Sequence, residues 1–183
     1  ALMGIRDQIR PGVKEDLQRL KRLGVKNLVV LSGDNKGTVD LVARELGLTE
    51  AHGHMLPEDK SEYIKGLQAK GQIVAFVGDG VNDSPSIALA QIGIAMGSGT
   101  DVAIETSDVV LMNSDISRLP HALGLTKATA RNMRQNIIIA VGVVLVLLAS
   151  VFFSEWMNMS IGMLVHEASI LVVILNGMRL LRF

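Results

Sequence analysis

The sequence predicts an α/β unit, built as a parallel sheet with helices on both faces, followed by two transmembrane α-helices. Three observations predict it. Short apolar runs alternate with charged, amphipathic runs from residue 1 to about residue 115. Residues 137–153 form a run of 17 without a charged side chain. Residues 159–178 form a second apolar run, of 20 residues, interrupted only by His166 and Glu167. The 183 residues are 49% hydrophobic and 20% charged, which excludes disorder and supplies material for one core. Eighteen basic residues balance eighteen acidic ones, so charge offers no case for a nucleic-acid partner. Cysteine is absent, which excludes disulfides, thiolate metal sites and a cysteine nucleophile within this sequence. The mean hydropathy of +0.37 is concentrated in the last quarter.

Residues 26–31 (KNLVVL) read as a buried strand that ends in the turn Ser32-Gly33-Asp34. Residues 39–46 have helical spacing and stop at Gly47. Pro57 opens the next helix, where its missing N–H leaves no bond unmade, and that helix ends near Gly71. Residues 73–77 (IVAFV) read as another strand, ending in Gly78-Asp79-Gly80, and residues 82–90 as a helix. Residues 92–96 and 109–112 read as further short strands. Strands alternating with helices through short loops imply a parallel sheet. Strands apolar throughout fit burial on both faces.

At about 1.5 Å per residue the first charge-free run covers about 26 Å, and its polar flanks extend it to a hydrocarbon core of about 30 Å. It is apolar all round, unlike the two-sided helix of a soluble surface. Lys127, Arg131 and Arg134 precede the pair of runs, Arg179 and Arg182 follow it, and the connecting segment carries only Glu155. The positive-inside rule therefore puts both termini and the soluble part in the cytoplasm. The expectation is an integral protein of the plasma (inner) membrane, in contact with lipid. Trp156 falls where an interfacial aromatic belongs.

In an open parallel sheet, ligands bind beyond the carboxyl ends of the strands. Ser32-Gly33-Asp34-Asn35 combines a hydroxyl, a glycine N–H and a helix N-terminus, which suits a phosphate. Gly78-Asp79-Gly80-Val81-Asn82-Asp83-Ser84-Pro85 sets Asp79 and Asp83 four residues apart across a strand-to-helix turn. Two hard carboxylates beside a phosphate suit Mg²⁺. Lys60, at the start of a helix aimed at the same strand ends, can neutralise a phosphoryl oxygen. Each piece alone has a plainer reading: a common turn, a solvated lysine, a loop or a Ca²⁺-like turn. The ordered set is far more specific.

Ionisable groups at mid-membrane are costly and therefore functional candidates. His166 and Glu167 lie at the eighth and ninth positions of the second run, near the bilayer midplane. Adjacent residues sit about 100° apart on a helix, so both reach one cation only at its edge. Ser169 shares the face of His166. Imidazole with carboxylate suits Zn²⁺, Co²⁺ or Fe²⁺ better than Cu⁺. An internal His–Glu pair or a proton relay is the plainer alternative. Met157, Met159 and Met163 read as gap-filling or lipid-facing side chains. Asn136, at the mouth of the first span, either helps the ion pass or caps the interface.

Ser32-Gly33-Asp34-Asn35, Lys60 and the Gly78–Pro85 cluster, in this order, resemble the phosphorylation domain of a P-type ATPase, which has the haloacid-dehalogenase-like fold. Residues 94–103 (IAMGSGTDVA) and 130–136 (ARNMRQN) extend the likeness. Residues 176–181 (NGMRLL) resemble the end of the last membrane helix in the heavy-metal-transporting (class IB) branch. His166-Glu167-Ala168-Ser169 is similar to the ending of the cobalt/zinc/iron subgroup. The resemblance implies that Ser32 and Gly33 hold the phosphoryl group and that Asp34 sits near metal and nucleotide. It implies that Lys60 contacts the phosphoryl oxygens, Asp79 ligates Mg²⁺, and Asn82 bonds the phosphate. Asp83 would hold Lys60 and a metal-bound water. Mg²⁺ and ATP are the implied cofactor and substrate, with ATP bound mainly by another domain.

A divalent heavy-metal ion would be the cargo, held at His166, Glu167 and Ser169, and the remainder of the pump the partner. Residues 1–115 would form the C-terminal half of the phosphorylation domain, 116–134 a connecting cytoplasmic helix and 135–183 the last two membrane helices. The family's nucleophile, the aspartate of Asp-Lys-Thr-Gly-Thr, does not occur here, nor do its nucleotide-binding and actuator domains. The expectation is the C-terminal part of an ATP-driven exporter of Zn/Co/Fe/Cd-type ions, inactive by itself, whose phosphorylated aspartate lies outside this chain. The alternatives are a truncated, non-catalytic membrane fragment and a copper-transporting pump of the same family.

Overall fold

Strands that all run parallel, in two separate sheets, organise the first of the chain's two units, residues 1–121. The computed structural model describes residues 9–153 and 159–182. Helix α1 (Val13–Arg22) buries Leu20. Strand β1 (Val29–Leu31) pairs with β2 (Glu50–His52), Val30 lying opposite Ala51. Helix α2 (Lys36–Leu46) crosses between them. Asn35 Oδ1 caps it by accepting the Thr38 N–H at 2.9 Å, and Gly47 ends it in the left-handed region at φ 68°. Helix α3 (Pro57–Ala69) starts on its proline, and the Asp59 carboxylate accepts the Leu56 N–H at 2.8 Å.

The second sheet has the order β3 (Ala75–Gly78), β4 (Ile92–Met96), β5 (Val109–Leu111). A 3₁₀ turn (Val81–Asp83) and the short α4 (Ser84–Leu89) lead from β3 to β4, and α5 (Asp101–Glu105) leads on to β5. Ile87, Ala95 and Ala103 form the core here, with Phe76 and Ile104 against it. Ile64 of α3 is 1% exposed, and the Gln68 amide donates to the Leu89 carbonyl at 2.8 Å, so α3 is held to the end of α4.

The observed strands lie within a few residues of the expected ones, but they are less buried than expected: β1 is half-buried along its length, and β3, β4 and β5 each start on an exposed residue, because the small sheets leave strand ends and edges uncovered. Two further differences concern the pairing. The sequence suggests one sheet, yet β1 pairs with β2 and β3 with β4, and no ladder among the described residues joins the two sheets. Strand β2 itself was unexpected. Glu50-Ala51-His52 has no apolar run, and it is a strand because α2 returns the chain alongside β1.

The second unit, residues 122–183, holds most of helix α6 (Arg118–Phe153) and all of helix α7 (Met159–Met178). Helix α6 runs unbroken through residue 134, and its 36 residues reach about 54 Å at the usual rise. Both helices contain stretches long and apolar enough to cross a membrane. Apolar side chains such as Ile138 and Leu164 are largely exposed. Trp156 and Met157 lie outside the described residues, as does the segment carrying Glu155.

A ring of amides joins the two helices. Asn132, 8% exposed, donates to the Asn176 carbonyl at 2.7 Å. Asn136 donates to Asn132 Oδ1 at 3.1 Å, and Asn176 to Asn136 Oδ1 at 2.8 Å. Asn176 lies in the last turn of α7, where helix carbonyls lack N–H partners. Asn136 is thus tied to both helices through side-chain amides.

Candidate functional site

Gly78 ends β3, and the chain turns so sharply that an added Cβ there would lie 2.6 Å from Asp83 Cβ. Only glycine lets Asp83 fold back against the strand end. The Asp83 N–H closes the 3₁₀ turn on the Gly80 carbonyl at 3.0 Å. Lys60, in the first turn of α3, donates from Nζ to Asp83 Oδ1 at 2.8 Å. The two side chains are 13% and 16% exposed, so the pair is screened far less than a surface ion pair. This bond uses one of the three Nζ donors and leaves the others for a ligand. The Asp79 side chain is exposed beyond the sheet, and its backbone carbonyl accepts the Thr100 N–H at 3.1 Å. Asn82 is exposed on the turn between the two aspartates. An exposed carboxylate four residues from a half-buried one fits Mg²⁺, which takes few protein ligands and keeps several waters.

The second cluster follows β1. Ser32 Oγ donates to Asp34 Oδ2 at 2.8 Å and accepts the Asp34 N–H at 3.1 Å. The Asp34 carbonyl accepts the His54 N–H at 2.7 Å, which pins the loop to the segment after β2. Gly33 and Asp34 are exposed. Ser32, Gly33 and Asp34 thus stand together at the carboxyl end of β1, and Lys60, Asp79, Asn82 and Asp83 at that of β3. No hydrogen bond or ion pair among the described residues connects the two groups. A surface depression of about 270 Å³ lined by Lys36, His52, Gly53, His54 and Asp59 adjoins the first group but excludes Lys60, Asp79 and Asp83. The strand-end chemistry is therefore open rather than enclosed.

A neighbouring polar cluster was not foreseen. The Tyr63 hydroxyl donates to Glu50 Oε2 at 2.7 Å, and His52 Nε2 lies 3.3 Å from the same oxygen. Burial, and then the Glu50 bond, push the Tyr63 hydroxyl up to about 12. The Tyr63 bond, and then that of His52, hold the Glu50 carboxyl below its ordinary range. The cluster ties α3 to β2. Tyr63 and Glu50 are 13 residues apart in sequence, and no local pattern pairs them.

On α7, His166 and Glu167 are exposed on the unit's surface. The Ser169 hydroxyl donates to the His166 carbonyl at 2.6 Å, so it is held by its own helix. Among the described residues no group of three or more His, Cys, Asp or Glu is gathered for a metal.

Residues 1–91 match the family model of haloacid dehalogenase-like hydrolases. The zinc-transporting ATPase of Bacillus subtilis (strain 168) is 41% identical over 180 residues, an alignment covering 98% of this chain and 28% of that protein. The cadmium-transporting ATPase of Staphylococcus aureus is 38% identical over 182 residues, covering 99% of this chain and 25% of that one. The crystal structure of a zinc-transporting PIB-type ATPase in the E2.Pi state superposes with a TM-score of 0.84 at 37% identity, covering 96% of this chain and 28% of that chain. This chain spans about a quarter of the length of the curated relatives it matches.

Proposed function

From the premise that this chain belongs to the metal-transporting P-type ATPases and is a portion of such a pump, we propose that it supplies part of the phosphoryl-transfer site and part of the ion path. The observation that carries the reading is the Lys60–Asp83 pair at 2.8 Å, held by Gly78 beside the exposed Asp79. Phosphoryl transfer depends mainly on positioning and charge neutralisation. Asp83 orients Lys60 so that its remaining N–H bonds face the phosphoryl oxygens. Ser32 and Gly33 hold the phosphoryl group from the other strand end, Asp34 borders the nucleotide, and Asn82 hydrogen-bonds the phosphate. Asp79 and Asp83 would hold Mg²⁺, which when bound supplies positive charge to those oxygens.

P-type ATPases of this fold use ATP and Mg²⁺; the nucleophilic aspartate lies outside this chain. Among the described residues, strands β1 and β3 are each paired on one side only. A parallel strand from the rest of the pump, entering between these edges, would join the sheets and bring its carboxyl end between Ser32 and Asp79.

In this reading, residues 1–115 belong to the phosphorylation domain, 116–134 connect it to the membrane and 135–183 form two spans, with the soluble part cytoplasmic in the plasma (inner) membrane. The cargo is a Zn/Co/Fe/Cd-type ion that meets His166 and Glu167 near mid-membrane. Ser169 holds the adjoining turn and adds a hydroxyl oxygen, and upstream helices supply the remaining ligands. A copper cargo has less behind it, because imidazole and carboxylate suit borderline divalent ions. The test is metal-stimulated ATPase activity of the full-length pump across Zn²⁺, Co²⁺, Cd²⁺ and Cu⁺, with His166→Ala alongside. Stimulation by a divalent ion, lost in the variant, is the expected result. Stimulation by Cu⁺ that survives the substitution would overturn the assignment of the ion site.

A further inference from the structure

Resting on the reading of Asp79 as a magnesium ligand, we propose that Ser114, acting through Ser98, is a positioning residue for Asp79. The loop 97–100 lies against the Asp79 backbone. Thr100 donates its N–H to the Asp79 carbonyl at 3.1 Å, and an added Cβ on Gly99 would lie 2.7 Å from that oxygen. The loop looks like a glycine-rich anion cradle, but its amides are spent. Gly97 N–H bonds to the Leu111 carbonyl at 2.8 Å and Gly99 N–H to the Met96 carbonyl at 2.8 Å. Ser98 N–H bonds to Ser114 Oγ at 2.9 Å. With every donor turned to protein, the loop works as a spacer wedged between Asp79 and the segment after β5.

That segment is strained. Asn113 has φ 61° and Ser114 φ 52°, consecutive non-glycine residues in the left-handed region. Asparagine adopts this region readily, whereas serine is far less at home there. Such conformations persist where surrounding contacts over-determine them, and they cluster at functional sites. Here the contacts are explicit. The Arg10 guanidinium donates to the Ser114 carbonyl at 2.8 Å. The Ser98 and Ser114 hydroxyls share a hydrogen bond. An added Cβ on Gly97 would stand 3.2 Å from Asn113 N, so the loop backs directly onto the strained turn. Ser114 is 7% exposed, so water does not compete for its hydroxyl. The left-handed turn aims that hydroxyl at Ser98, Ser98 sets the loop, and the loop's far end fixes the Asp79 backbone.

The test uses the full-length pump phosphorylated by inorganic phosphate, with the Mg²⁺ concentration for half-maximal phosphorylation as the readout. Ser114→Gly keeps the turn and removes the hydroxyl. Ser114→Asn tolerates the turn and offers a side-chain acceptor to Ser98. Loss of an outer-shell partner typically weakens metal binding by at least about tenfold, so Ser114→Gly should raise the Mg²⁺ requirement by about that factor, and Ser114→Asn should restore most of it. The half-saturating phosphate concentration at saturating Mg²⁺ should stay unchanged in both. A lowered unfolding temperature with an unchanged Mg²⁺ requirement would make Ser114 merely structural and overturn the proposal. So would a Ser114→Asn variant as impaired as Ser114→Gly. Asp79→Asn separates the two layers of the reading. If it leaves the Mg²⁺ requirement unaltered, the ligand reading of Asp79 fails; if it raises the requirement or abolishes phosphorylation while Ser114→Gly does neither, only the positioning role fails.

Discussion

Replacing Lys60 by methionine keeps most of the side chain's length and removes its charge. The Nζ–Oδ1 separation is 2.8 Å, and the partners are 13% and 16% exposed. Opposite unit charges at that distance attract by about 6 kcal/mol at an effective dielectric constant near 20, before any desolvation cost. Desolvation removes much of this, and hydrogen bonds to charged groups retain about 1.5–3 kcal/mol net. Lys60→Met also strands the Asp83 carboxylate, so its loss should sit at the upper end, about 3 kcal/mol. Asp83→Asn keeps an acceptor for Lys60 and should cost less. The double variant strands neither charge and should lose less than the sum. We expect a coupling energy of about 1–3 kcal/mol, read from a double-mutant cycle on thermal unfolding of this chain in detergent micelles. At roughly 2–4 °C per kcal/mol for a chain of this size, Lys60→Met should lower the midpoint by about 6–12 °C. Additive losses, with coupling below about 0.5 kcal/mol, would mean that the pair behaves as a solvated surface bridge and would refute the reasoning.

Two further expectations concern other bonds. Tyr63 is the only tyrosine in the sequence, and a hydroxyl raised to about 12 keeps its proton longer in the folded state. That stability is whole below the unfolded value of about 10 and is lost as pH rises through about 12. An ultraviolet difference titration between wild type and Tyr63→Phe should therefore show a midpoint well above that of free tyrosine; an ordinary midpoint would remove the bond. For Glu50 the sign is opposite: its lowered value adds stability above 4.5, lost as pH falls through the folded value, and Tyr63→Phe should shrink this acid dependence in denaturation curves. In the second unit, Asn132→Ala leaves the Asn176 carbonyl and the Asn136 amide without this partner. The expected loss is about 1 kcal/mol, as for other interhelical amide bonds in membranes. It should be non-additive with Asn136→Ala in detergent unfolding, and strict additivity would dissolve the ring.

The chemistry-bearing turns were legible because they are local. Gly78 through Pro85 fold as one strand-to-helix turn, and the closeness of Gly78 to Asp83 is written in six successive positions. Ser32 and Asp34 close a turn on each other for the same reason. The two apolar spans were legible from uninterrupted hydropathy. What escaped prediction depends on partners distant in the chain. Glu50-Ala51-His52 carries no strand signal and needs β1 beside it. Tyr63 looks like a helix-face aromatic until Glu50 arrives 13 residues away. Asn132 and Asn176 sit in segments that carry the family likeness, but nothing local pairs them, because their bond crosses 44 residues. Helix α6 had no readable end at residue 134, since neither a proline nor a cap interrupts it there.

Sequence alone was enough for the strands β1, β3, β4 and β5, the glycine and aspartate turns, and the two long apolar helices of the last quarter. These follow from backbone sterics, local capping and uninterrupted apolar composition, all of which are read along the chain itself. Tertiary structure decided that Lys60 points at Asp83 rather than at solvent, and that the strands divide into two sheets with open edges at β1 and β3. It also decided that Ser114 takes a left-handed turn to reach Ser98. Each of these is a contact between segments brought together only by burial of a shared core. The free energy that selects them belongs to the packed unit, and no stretch of sequence carries it alone.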